Sequence, residues 1–294
     1  MELLAPAGDF ECLEAAIDAG ADAVYFGLSL LNARRGARNF SPAELGRATE
    51  LARRNGVSTH LTLNIDIAGR ETGAAARLLS LARDTGVDAV IVRDWAVISL
   101  WLALNSSDSG HGPALHISTQ AAITNADGVR LAREIGARRV VLARELSLEE
   151  IRGIVDASAG IEIEVFAQGA LCYSVSGRCL MSSWGGGRSG NRGLCASPCR
   201  VPWAVNGAPV GSAMSMRDVA VIDRLEDLKN AGISALKIEG RLKRPEWVRE
   251  AVSLYRQALG PKENPADIPS PSDENAVGRA RRLAAYAGRD STSA

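Results

Sequence analysis

One phrase recurs along the first 165 residues: apolar positions at helical spacing, a glycine, then a short apolar run. In Phe10–Ala19, Cys12, Leu13, Ala16 and Ile17 form one helical face; Gly20 ends it and AVYFG at Ala23–Gly27 follows. Ser41–Pro42 supplies an N-cap and a first-turn proline for a helix running to Gly56, and His60–Ile65 comes next. The order returns at Gly86 before Ala89–Val92, at Gly136 before Arg139–Ala143 and at Gly160 before Ile161–Phe166. Glycine just past a helix ends it cheaply, because it tolerates the left-handed conformation.

The strand runs (AVYFG, AVIVRD, RVVLAR) are continuous rather than alternating, as in strands covered on both faces of a parallel sheet. Leu3–Ala5, Leu115–Ser118, Ala213–Met216 and Ala235–Glu239 bring the candidates to nine, one more than an eight-stranded barrel accepts. The fold class is α/β. A TIM-like (β/α) barrel, regular or irregular, is the first choice and a doubly wound open sheet the second. In either, the working face lies at the carboxyl ends of the strands. Those ends carry Asn64, Asp66, Arg93, Asp94, Ser118–Thr119–Gln120, Arg144, Glu145, Gln168, Lys237, Glu239 and Arg241. Amide or charged groups at nearly every strand end suit a polar pocket.

From Cys172 to Pro209 the alternation breaks into a stretch rich in glycine, serine and arginine, with a hairpin turn at Val205–Asn206–Gly207–Ala208. It resumes through Asp218–Ala231 and Ser234–Glu239, and an amphipathic helix runs from Pro245 to about Leu259. Residues 1–259 are therefore expected to form the barrel, with a cysteine-rich insertion at 172–211 after the seventh strand. Residues 260–294 read as a proline-rich linker, a short basic helix over Asn275–Arg289 and a disordered tail.

Composition adds two points. The chain has 294 residues, 46% hydrophobic and 23% charged, with 34 basic and 34 acidic side chains, so net charge demands no polyanionic partner. No apolar run is long enough to span a membrane, and the N-terminus has no basic signal region, so a cytoplasmic protein without membrane contact is expected. The second point is the cysteines. Cys172, Cys179, Cys195 and Cys199 follow the spacing C-x6-C-x15-C-x3-C.

Four thiolates select soft metals. Only Cys195-x3-Cys199 matches the close pair usual in structural zinc sites, whereas irregularly spaced thiolates can each take one iron of a cubane. A 4Fe–4S cluster is the first reading, zinc the second, and a redox disulfide or unrelated buried thiols the remainder. Arg178, Arg188, Arg192 and Arg200 surround the cysteines, and Lys237, Arg241, Lys243 and Arg244 follow. Arginine at a pocket rim binds carboxylate or phosphate, and a basic face permits RNA binding on a neutral protein. Hydrolase chemistry finds little support, because His60, His111 and His116 lie in no zincin helix and beside no G-x-S-x-G turn. His60 reads as a core residue, His116 as the start of a strand-end constellation, and Cys12 as packing.

The segments EVFAQGALCYSVSGRCLMSS, RSGNRGLCASPCR and ALKIEGR, with ELLAPAGDFECLEAAIDAGADAVYFG and ARELSLEEI, resemble the collagenase-like peptidase family U-32 from Glu2 to about Leu259. Despite that name, the resemblance implies iron–sulfur proteins that insert hydroxyl groups. Some act at carbon 5 of a tRNA wobble uridine or a ribosomal RNA cytidine, and others act on quinone precursors. By position, Cys172, Cys179, Cys195 and Cys199 look like the cluster ligands, and NRG-x-C-x3-C-R is closer to the RNA branch. That branch implies prephenate as co-substrate and RNA as partner, tRNA ahead of rRNA. Arg192, Arg200, Arg241 and Lys243 are then candidates for anion or RNA contact, and Glu164, Gln168 and Glu239 for the pocket. Gln168 stands where many members have histidine. A collagenase-like peptidase and a hydroxylase subunit that needs a second family member as partner are the alternatives.

Overall fold

The computed structural model describes residues 1–106, 112–260, 276–285 and 291–292. Seven parallel strands and six helices alternate: β1 (Glu2–Pro6), α1 (Phe10–Asp18), β2 (Ala23–Gly27), α2 (Pro42–Arg54), β3 (Ser58–Leu63), α3 (Thr72–Asp84), β4 (Ala89–Val92), α4 (Trp95–Ser106), β5 (Ala114–Ile117), α5 (Ala126–Glu134), β6 (Arg139–Val141), α6 (Leu148–Asp156) and β7 (Glu162–Ala170). The insertion follows, with the short α7 (Met181–Gly186) and an exposed hairpin of β8 (Trp203–Val205) and β9 (Ala208–Gly211). Then come β10 (Asp218–Ala220), α8 (Leu225–Asn230), β11 (Ala235–Ile238), α9 (Pro245–Leu259) and α10 (Ala276–Ala285).

Strands β1 to β7 pair in chain order, and β11 pairs in parallel with both β1 and β7, so eight strands close a barrel. The ninth sequence candidate, Ala213–Met216, is not a strand. The chain instead pairs at Asp218–Ala220, antiparallel to Gln168–Ala170, where nine-residue β7 outruns three-residue β6 and leaves an edge to fill.

Local sequence sets the helix starts. Asp9 accepts the Cys12 N–H at 2.9 Å to cap α1, and Ser41 with Glu44 and Ser147 with Glu150 form capping boxes that open α2 and α6. The glycines at 20, 56, 86, 136 and 160 all adopt positive φ, as their places after helices predict. One continuous apolar layer lies between strands and helices, whereas the barrel lumen holds only a small apolar cluster of Leu4, Ala23, Tyr25 and Ile91. Beside it the lumen holds the buried polar and charged side chains of His60, His116, Glu164 and Lys237. Helix α10 joins the outer layer: Ala280 and Leu283 are buried, and Trp247 of α9 donates its indole N–H to the Leu283 carbonyl at 3.1 Å. The barrel's packing therefore extends beyond residue 259 to a basic helix that the sequence placed in the tail, while the linker at 261–275 and His111 lie outside the described residues. No helix among the described residues is long and apolar enough to cross a membrane.

Candidate active site

A cavity of about 900 Å³ opens at the carboxyl ends of the barrel strands. Tyr25, Thr62, Phe166 and Lys237 form its floor, and Asn64, Ser118–Gln120, Arg144, Glu239 and Arg241 rise around it. The insertion closes the top, so most of the strand-end residues singled out in the sequence share one space.

Glu239 organises the floor. Arg34 donates to it at 2.9 Å, and the Tyr25 hydroxyl lies 3.1 Å from its other oxygen. Burial pushes the Glu239 carboxyl up, but Arg34, Arg241 and Arg144 outweigh it and bring it down to about 2. Arg241 donates to Asn32 Oδ1 at 3.1 Å and to Thr62 Oγ1 at 3.0 Å. That arrangement requires glycine at 27, because a Cβ there would stand 2.6 Å from Asn32 and 2.8 Å from Arg241. Arg144 Nε, Arg241 Nε and Gln120 Oε1 have no hydrogen-bond partner although buried, so the wall keeps unused polar capacity.

Below the floor lies an ionic layer. Glu164, wholly buried, is 3.0 Å from Lys237 Nζ and 3.1 Å from Arg139, which also reaches Glu2 at 2.6 Å. Lys237 sits 4.4 Å from the Tyr25 ring centroid. Burial lowers its pKa against the opposing pull of Glu164. His60 and His116 meet edge to face at 4.7 Å inside the lumen. Burial, with Arg139 adding to it, lowers His60 to about 3.

Four free thiols line the cavity's upper wall: Cys172, Cys179, Cys195 and Cys199. Backbone N–H groups of Met181 and Ser197 point at Cys179 Sγ (3.4 Å) and Cys195 Sγ (3.3 Å). Among the described residues, no three His, Cys, Asp or Glu side chains converge on the position of a single metal ion. The insertion is pinned to the barrel by its GNRG segment. Asn191 accepts the Asp66 N–H at 3.1 Å, and Arg192 grips Glu71 at 2.6 and 2.9 Å and the Asp66 carbonyl at 2.9 Å. Gly193, at φ +78°, lies so close that a Cβ would meet the Asn32 carbonyl at 2.1 Å.

Several expectations need correction. Gln168 does not face the cavity. A bulge where β7 meets β11 slips the alternation, and Gln168 turns outward to Tyr255 (3.2 Å) and the Ala280 carbonyl (3.3 Å). Glu164 faces the lumen but beneath the cavity, locked by Lys237 and Arg139. Arg192 is committed to the Glu71 clamp, so it is a docking residue rather than a contact for a ligand. Arg200 lines the cavity but binds Ser215 Oγ (3.0 Å) and the Leu171 and Met216 carbonyls. Glu239, Arg241 and Lys243 do line it, Lys243 resting 5.1 Å from the Trp247 ring. His116 belongs to the lumen, not to a strand-end constellation. Sequence reasoning missed Tyr25, Asn32 and Arg34. The arginine-rich N-A-R-R-G-A-R-N loop after β2 was the available signal for the last two.

Fold and site together define a parallel (β/α) barrel whose mouth is roofed by a four-cysteine insertion. The chain belongs to peptidase family U32, whose profile matches residues 8–281. It is similar to a collagenase of Porphyromonas gingivalis, with 34% identity over 95% of this chain and 69% of the relative. It is 35% identical to tRNA hydroxylation protein P1 of Bacillus subtilis, covering 88% of this chain and 63% of that one. It is 37% identical to the 23S rRNA 5-hydroxycytidine C2501 synthase of Escherichia coli, covering 88% and 39%. The chain thus spans between 39% and 69% of the length of these relatives.

Proposed function

We propose that this protein is an iron–sulfur-dependent enzyme that hydroxylates a pyrimidine in RNA, at carbon 5 of a tRNA wobble uridine, with prephenate as co-substrate. One observation carries the reading: all four insertion cysteines open onto the same cavity, whose lining holds nine basic side chains and, among the described residues, one carboxylate. The likeness to proteins named for tRNA hydroxylation and rRNA hydroxycytidine synthesis supports the RNA substrate.

The residues present fit a 4Fe–4S cluster. Four soft donors spread over one wall suit a body whose irons each take one thiolate, and N–H groups aimed at sulfur stabilise thiolate charge. A cluster held by Cys172, Cys179, Cys195 and Cys199 supplies one-electron chemistry beside the cavity. The chain's own groups do the binding. Arg144 and Arg241, with unused Nε–H donors, receive carboxylates of the co-substrate. Glu239, held ionised, fixes Arg34 and Tyr25 rather than moving a proton near neutral pH. The peptidase alternative, favoured by the collagenase likeness, finds less support, since among the described residues no histidine lines the cavity to serve as a base.

The test is anaerobic purification with iron and sulfide analysis, paired with nucleoside mass spectrometry of RNA from a deletion strain. About four irons per chain and loss of a hydroxylated pyrimidine, restored by the wild type but not by a Cys179→Ala variant, is the expected result. Iron-free protein that restores the nucleoside would overturn the cluster, and an unchanged nucleoside profile would overturn the RNA substrate.

A further inference from the structure

Trp184 is 81% exposed at the rim of the cavity. An indole left in water marks a contact surface, because burying it is strongly favourable. Its sequence neighbours sharpen the point. Of Gly185, Gly186 and Gly187, only Gly187 needs glycine for its backbone, at φ +64° where α7 ends. A Cβ on Gly185 or Gly186 would meet nothing within 4 Å, so packing does not require either. Glycine within a helix is destabilising relative to alanine, and these two leave the chain beside the indole bare of side chains. Tyr173, 54% exposed, lines the same opening, as do the exposed Arg178 and Arg188. Flat aromatic surface interleaved with arginine matches the two components of single-stranded nucleic acid, planar bases and phosphates.

Resting on the RNA reading above, we propose that Trp184 is a stacking platform for an unpaired RNA base. That base is the neighbour of the nucleotide entering the cavity, and Arg188 contacts the phosphate. The rim position decides between target and neighbour, because the indole stands at the opening while the floor groups lie below it.

The experiment is fluorescence anisotropy with an end-labelled uridine-rich single-stranded RNA, using anaerobically purified full-length protein at several salt concentrations. Trp184→Ala is expected to weaken binding about tenfold and Trp184→Phe by less than about threefold, with iron content and absorption unchanged. The dependence of log K on log salt keeps the wild-type slope in Trp184→Ala, since no phosphate contact is lost, and falls by about one in Arg188→Ala. Wild-type affinity in Trp184→Ala, or a shallower salt slope in that variant, overturns the platform while leaving the RNA reading intact. Failure of the wild type to bind the RNA removes the RNA reading itself, and is seen in every variant alike.

Discussion

Arg34 and Glu239 meet at 2.9 Å across a sequence separation of 205 residues. One comes from the loop after β2 and the other from the end of β11, so the pair ties the two sides of the seam at which β1 joins the last barrel strand. Tyr25 adds a third partner on the free carboxylate oxygen. Glu239 is thereby the counter-charge for a floor that also holds Arg241 and Arg144.

Replacing Glu239 by Gln keeps the shape and removes that counter-charge. Arg34 and Arg241 are left in a poorly solvated place, which costs about 3 kcal/mol of stability at pH 7. The double variant Arg34→Met/Glu239→Gln should lose less than the sum of the single variants, because the two side chains share one interaction. Urea unfolding of the four proteins measures the coupling. Strict additivity would show that the pair contributes nothing.

The lumen histidines give the fold an acid limit. His60 is lowered from 6.5 to about 3 by burial and by Arg139, and His116 is lowered by burial and by His60. A depressed histidine takes up its proton first in the unfolded chain, so stability is full above pH 6.5 and falls as pH drops from there towards 3. The slope is about 1.4 kcal/mol per pH unit for each histidine left neutral in the folded state. His60→Leu should make the stability profile between pH 6 and 4.5 shallower by about one proton. Denaturant unfolding at several pH values reads this directly, and an unaltered slope would assign the acid loss to other groups.

The barrel was legible because its strands are buried on both faces, and a continuous apolar run has few other uses. Ala213–Met216 looked like one more such run. It lies between the exposed hairpin and the stretch that actually pairs with β7, and pairing was decided by an edge of β7 that no local pattern marks. Gln168 misled for a related reason. The slip falls at Ala167, which no local pattern marks, and Gly169 just beyond it, at φ +118° with the Glu239 carbonyl 2.5 Å from the place of a Cβ, does not announce it either. That the four cysteines share one cavity lining was legible from their clustering within one insertion. Arg192 did not reveal its role, since its partner Glu71 is 121 residues away and a basic residue beside cysteines looks the same whether it binds a ligand or a loop.

Helix α10 packs on α9, β7 and β10, and its contribution is measurable. Leu283 is 5% exposed against the outer layer, and its carbonyl accepts the Trp247 indole N–H. Leu283→Ala removes buried apolar volume and should cost about 2 kcal/mol, with the thermal midpoint lowered accordingly. Alanine scanning on exposed Arg281 gives the comparison, since that position should stay within about 0.5 kcal/mol of wild type. Equal effects at the two positions would mean that the helix does not dock in solution.

On the proposed iron–sulfur reading, docking of the insertion and retention of iron should rise and fall together. Gly193 has a φ that disfavours side chains and no room for one, because the Asn32 carbonyl occupies the place of a Cβ. Gly193→Ala must therefore displace either the GNRG turn or the β2–α2 loop, and the turn also carries Arg192 into its clamp and stands two residues before Cys195. A strain of about 1–3 kcal/mol acts on that junction rather than on the barrel core. The expected result is more than half of the iron lost while the unfolding midpoint of the barrel changes little. Arg192→Ala should move in the same direction, as the Glu71 carboxylate loses its bidentate partner. Cys12→Ala provides the control: its thiol is buried on α1, 3.6 Å from the Lys243 carbonyl, and does not line the cavity with the other four, so iron content should match the wild type. Iron analysis of the three variants after anaerobic purification checks the argument. Full iron in Gly193→Ala would sink the idea that this turn fixes the cysteine loop.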